Sequence, residues 1–311
     1  MRKVFKANLY FLIILILEIV MPYITYPIYK GFGISDVRVV LVLNHVLLFL
    51  VPAIIYVLVT KCNIRKTFKF NPLPIKDLLL VIVLAFLCVP IMNFFGLISG
   101  FFFENNVGNL ITSISSTPYI ILMGIIAFMP AITEEITLRG IVLSGYDEKN
   151  RFKSALVVGL FFGIFHLDAN QFLYATVLGF ILAYVVRITG SIFSSMIMHF
   201  ILNGTSITIQ RLFALIDPSS VEQASNVSLK TLPLSEKLLL LQGSIFIFAI
   251  SIVLAYLVIK KLDKRGELRG VPKIIGNNNY RGLEESKERI IDIPFICIVI
   301  LYVIFMIINL K

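Results

Sequence analysis

SALVVGLFFGIFHLDANQFLYATVLGFILAYVVRITGSIFSSMIMHFILNG, residues 154–204, reads as three apolar helices separated by two polar breaks. The breaks are Asp168-Ala169-Asn170 and Thr189-Gly190-Ser191, residue types that end helices, cap them and make turns. The runs between them are too apolar for helices with one solvated face. They read as helices in lipid, where each backbone polar group must be satisfied within its own helix. Among the polar side chains that nevertheless lie inside them are His166, His199 and Asn203. An ionisable side chain in a bilayer helix is costly and persists where it faces the bundle interior and finds partners.

The rest of the chain supports the membrane reading. It has 311 residues, 58% of them hydrophobic, and a mean hydropathy of +0.94, against about 45–50% apolar residues in a soluble domain. A bilayer core of about 30 Å takes about 20 helical residues. Runs long enough, or nearly so, fall at roughly 9–29, 38–60, 77–99, 118–145, 154–167, 171–188, 191–213, 238–260 and 292–310. The expected fold is an all-α polytopic membrane bundle of eight to nine spans, with a short fifth span that turns at Asp168 into the sixth as a helical hairpin. Three parts are expected. Residues 1–117 carry three peripheral spans, 118–213 a catalytic core of four to five helices, and 214–311 the last spans with a basic loop over 260–291.

Charge gives orientation and partners. The formal net charge is +10, from 28 Lys and Arg against 18 Asp and Glu. The basic residues fall in the loops, which points to anionic lipid headgroups rather than nucleic acid. With the N-terminus inside, about 21 basic residues lie in cytoplasmic segments and about 6 outside, with Arg139 left within a span. The expected location is therefore a cell membrane, crossed many times, with a cytoplasmic N-terminus. Richness in Ile, Lys, Asn and Phe and the lack of Trp suggest a bacterial plasma membrane. Cys62, Cys88 and Cys297 are widely spaced and suggest neither a disulfide framework nor a zinc ribbon. Arg2, Lys3 and Lys6 precede the first apolar run without a small-residue cleavage site, so that run reads as an uncleaved span.

One more polar pattern lies upstream, Glu134-Glu135-x-x-x-Arg139. By helical rise, Glu134 stands about 16 Å from Gly145 and His166 roughly 18 Å from Ser154. His199 and Asn203 stand about 12 and 18 Å from Ser191. Three helices thus bring polar groups to one depth, and the site is expected to open toward the cytoplasm. Glu135 and Arg139 share a face at i and i+4 and read as a neutralising pair. Glu134 then points to the cavity, suited to take a proton from water. Phe162 shares a face with His166 and can wall the site. The imidazole of His199 and the amide of Asn203 suit an oxyanion. Each pattern alone is also explicable as hydrogen-bonding glue between helices. Glu134 with two histidines could bind zinc, but no HExxH pairing is present, so metal-activated and glutamate-activated water both stay open. Glu18 and the pair Asn44-His45 belong to no pattern and read as structural or interfacial.

EEITLRG at 134–140, FFGIFH ending at His166, and RITGSIFSSMIMHFILNG at 187–204 resemble, in order, the three motifs of the CAAX prenyl endopeptidase and bacteriocin-processing family of intramembrane proteases. The resemblance covers about 118–204. It implies hydrolysis of a peptide bond in a membrane-associated peptide or protein, without an acyl-enzyme. Glu134 would activate the water with help from His166, and His199 and Asn203 would serve the oxyanion or a metal. Glu135 and Arg139 would be the supporting pair. Leu138 departs from the aromatic residue often found there. Bacterial relatives are linked to bacteriocin maturation, immunity and peptide signalling, so a prenylated substrate does not follow. A non-proteolytic immunity or regulatory scaffold of the same fold is one alternative. A proton- or ion-coupled transporter is another, disfavoured by the lack of repeat symmetry.

Overall fold

Glycine lets one helical hairpin close tightly, and the site is built on that hairpin. In the computed structural model, which describes residues 3–216, 228–273 and 286–309, α5 (Arg151–Phe165) and α6 (Ala169–Thr189) run back to back. Asp168 caps α6 by accepting from the Gln171 N–H at 2.9 Å, and Leu167 turns the chain with a left-handed φ of 48°. Gly159 and Gly163 on α5 face Gly179 and the backbone of α6. A methyl group at Gly159 would stand 2.5 Å from the Phe180 nitrogen, and one at Gly163 would stand 2.7 Å from the Phe172 carbonyl. Small residues four apart let membrane helices approach this closely.

The other long helices are α1 (Lys3–Gly31), α2 (Val37–Thr60), α3 (Ile75–Gly100), α4 (Tyr119–Gly145), α7 (Ile192–Ile216) and α8 (Leu234–Leu268). With α6, seven helices are long and apolar enough to cross a membrane; the protein is a polytopic helical membrane bundle, with no strand among the described residues. The remaining two expected spans form shorter helices. α5 has 15 residues and α9 (Ile293–Asn309) has 17, about 22 and 25 Å at 1.5 Å per residue. Both fall short of a full hydrocarbon core. The first three spans are less peripheral than expected. α3 packs along α6, α7 and α8, while Phe11 of α1 is fully buried and stacks on Phe161 of α5 with ring centroids 4.4 Å apart.

The two ends of the bundle differ. One end carries the start of α1, the α2–α3 loop, the α4–α5 turn and the α6–α7 turn, joined by a buried charge network. Asp147 pairs with Lys69 at 3.0 Å and with Arg187 at 3.2 Å. Asp77 pairs with Arg265 and Arg269, and Arg151 with Asp263 at 2.5 Å. Burial pushes the Lys69 amine below its ordinary range, and Asp147 beside it partly offsets that. Of the expected basic loop, residues 274–285 lie outside the described residues, as does Arg2. At the opposite end Asn106 donates to Asp168 at 3.1 Å, Asn170 to the Phe103 carbonyl at 3.1 Å, and Ser228 to Glu104 at 2.9 Å. These bonds tie the α3–α4 connection, the hairpin tip and the entry to α8 into one face.

Candidate active site

Glu134 and Glu135 sit where the α-helical middle of α4, Met129–Glu135, passes into a π-helical turn over Ile136–Val142. Such wider turns recur at functional sites. Here the turn keeps Glu135 and Arg139 on one face: the ion pair measures 3.0 Å and both side chains are fully buried. Arg139 also lies over the Phe162 ring, 4.4 Å from its centroid, and its guanidinium reaches the Gly179 carbonyl at 3.4 Å. Three devices therefore hold this cation: a carboxylate, a π face and a backbone carbonyl.

Glu135 does more than neutralise Arg139. The same carboxylate oxygen, Oε1, is 2.9 Å from Nδ1 of His199, a residue of α7. An ionised carboxylate can only accept, so Nδ1 of the imidazole is the donor in this contact. Its Nε2 stands 3.9 Å from Oε2 of Glu134. Glu134 and Glu135 thus engage opposite edges of one ring, as the 100° between successive helical positions requires. The sequence reading assigns Glu135 to Arg139 alone; its second partner lies 64 residues away on another helix.

His166 occupies the C-terminus of α5, where its Nδ1 bonds the Phe162 carbonyl at 2.7 Å. Its ring meets Phe162 edge to face at 4.7 Å, and Phe162 meets His199 in the same way at 5.8 Å. Phe162 is therefore the hub that spaces Arg139, His166 and His199. Asn203 lies one turn beyond His199 and donates from Nδ2 to the Ile126 carbonyl at 3.0 Å. That carbonyl belongs to a second π-helical stretch, Met123–Phe128. An amide nitrogen has a second N–H to offer.

Glu134, Phe162, His166, His199 and Asn203 line one cavity of about 1440 Å³. Sequence reasoning missed a fourth-helix contribution: His45 of α2 lines the same cavity, and its Nδ1 lies 3.2 Å from Oγ1 of Thr133, the neighbour of Glu134. The signal available was a histidine in an apolar span. Its distance from the presumed site depth hid its role, because the cavity is long. Its partner Asn44 has the structural role expected, accepting from the Tyr29 hydroxyl at 3.0 Å. Glu18 does not line the cavity.

The expected mouth on the basic face is overturned. From Glu134 the cavity wall continues through Tyr174, Gln171, Asn105, Glu104 and Ser228, all toward or at the opposite end. None of its lining residues comes from the basic-face loops, where the ion-pair network closes the bundle. Helical rise gave depth but not the direction of opening. No Lys or Arg lines the cavity among the described residues, while two carboxylates do.

A zinc site would need three donors around one point. Among the described residues no group of three or more His, Cys, Asp or Glu stands close enough to hold a metal ion. His199 Nδ1 is committed to Glu135 and His166 Nδ1 to a backbone carbonyl, which leaves Nε2 as the available donor atom of each ring.

Comparison with the curated proteins and with the solved structures gives no match. A family model does match, over residues 115–205, which hold α4 to the middle of α7 and every residue of the three polar patterns. Over that segment the chain is similar to the family described as Type II CAAX prenyl endopeptidase Rce1-like.

Proposed function

We propose that this protein is an intramembrane endopeptidase in which Glu134 activates water. The observation that carries the proposal is the placement of the Glu134 carboxylate 3.9 Å from His199 Nε2, inside a cavity large enough for a peptide segment. At that separation the two groups lie beyond direct hydrogen bonding and can share one water bonded to both. Glu134 takes a proton as the water oxygen adds to the scissile carbonyl carbon. The second N–H of Asn203 is suited to donate toward the developing oxyanion, while His166, whose Nδ1–H is given to the Phe162 carbonyl, presents Nε2 as an acceptor. Collapse of the tetrahedral species breaks the C–N bond, and the proton held by Glu134 goes to the leaving amine. Glu135 and Arg139 position His199 and do not touch substrate.

On this reading residues 118–213 are the catalytic unit, and α1 to α3 close it and add His45. The test compares membrane peptides from cells expressing wild type with those from cells expressing Glu134→Gln. Loss of a general base typically costs about 10²–10⁴-fold in rate, so specific cleavage products should vanish from the variant. Identical peptide profiles at equal expression would favour the scaffold alternative.

A further inference from the structure

We propose that substrate reaches the catalytic cavity from the outer face of the membrane, as an apolar peptide segment presented outside the cytoplasm. The inference rests on the endopeptidase reading for its substrate and on two independent observations for its direction. The first is charge. The ends of the helices that carry Lys3, Lys61, Arg65, Lys66, Lys149 and Lys153 all lie at one face with the α6–α7 turn, and such loops stay in the cytoplasm. The second is the cavity. Its wall runs from Glu134 to Asn105, Gln171 and Ser228 at the other face.

The basic face is closed by more than side-chain bulk. Arg187 is 1% exposed and donates to the carbonyls of Tyr146, Asp147 and Lys149 at 3.0 to 3.1 Å. Lys69 is 4% exposed, and the Ile192 N–H donates to its carbonyl at 3.1 Å. A peptide entering from this side would have to break buried ion pairs, each of which is costly to open once one partner is left uncompensated. At the opposite face the wall is contributed by loops and helix ends. One turn beyond Asn203 in the direction of that face, Ser206 is exposed on the cavity surface.

The test uses a membrane-impermeant maleimide on cells expressing the full chain. Ser206→Cys is made in a Cys62→Ser, Cys297→Ser background; Cys88 is buried. Native Cys62, on the basic-face loop, serves as the opposite reporter in a Cys297→Ser chain. Ser206→Cys should be labelled in intact cells to the level reached after permeabilisation, and Cys62 only after permeabilisation. Gln171→Cys, at the mouth, provides the same reading if Ser206→Cys lowers expression. Labelling of the cavity cysteine only in opened cells, or under neither condition, overturns the proposal. Labelling needs no turnover. A chain without peptidase activity would still be labelled from outside, whereas an active enzyme labelled only from inside would keep its chemistry and lose this entry route.

Discussion

Glu135 and His199 meet at 2.9 Å across 64 residues of sequence, and this contact decides which nitrogen of the imidazole faces Glu134. The carboxylate therefore has two jobs, compensating Arg139 and accepting from the imidazole Nδ1, and these can be separated by mutation.

Glu135→Ala leaves Arg139 buried and uncompensated, which should lower stability by about 3–5 kcal/mol. Replacing both partners, as in Glu135→Leu with Arg139→Met, should restore most of that stability, because an apolar pair of similar volume is often neutral in place of a buried ion pair. Activity should stay lost in the double variant, since His199 has no acceptor at Nδ1. Thermal unfolding in detergent and peptide cleavage, measured on the same preparations, check both halves.

His45 should matter to rate more than to stability. Its bond to Thr133 is one neutral hydrogen bond, worth about 0.5–1.5 kcal/mol. His45→Ala should therefore reduce kcat/KM about tenfold with little change in unfolding temperature. Thr133→Val should have a similar effect, and the double variant should show less than the sum, as contacting residues do.

The α5–α6 hairpin gives a steric prediction. Gly163→Val places a branched side chain against the Phe172 carbonyl and Thr176. Overpacking of this kind costs about 1–3 kcal/mol, and the splayed hairpin would carry Phe162 and His166 with it. Activity should fall further than the stability loss explains, and Gly163→Ala should be milder on both readouts.

At the basic face, Asp147→Asn removes the carboxylate that compensates Lys69 and Arg187. Stability should drop by about 3–5 kcal/mol, while activity per folded molecule is unchanged. A pH signature follows. Burial holds the Lys69 amine below its ordinary range, so the unfolded chain binds more protons than the folded one. Its contribution to stability therefore increases as pH rises. The variant, deprived of Asp147, should regain more stability than wild type between about pH 7 and pH 10, as followed by unfolding temperature.

Much of this site is legible in the sequence because it is local. The Glu135–Arg139 pair follows from i, i+4 spacing, Phe162 and His166 from the same rule, and the hairpin from Asp168-Ala169-Asn170. The Glu135–His199 contact is not legible, since helical periodicity says which face a residue takes and nothing about the helix that meets it. For the same reason His45 reads as an isolated polar residue until α2 is placed beside α4. The central position of α3 is hidden too: a helix apolar all round has no favoured face, and only the packing shows that α6, α7 and α8 surround it. The direction of the cavity depends on where ion pairs seal the bundle, which involves residues as distant as Asp77 and Arg265.

Hydrolysis makes a carboxylate where there was a neutral amide. In this cavity that new anion would appear beside Glu134, with Glu104 farther along the wall and no Lys or Arg lining the path among the described residues. No Lys or Arg there would retain it, and the like charge of Glu134 and Glu104 would urge it outward. The acidic lining that tolerates an uncharged chain on the way in would thus disfavour the shortened one, so the enzyme should resist inhibition by its own N-terminal product.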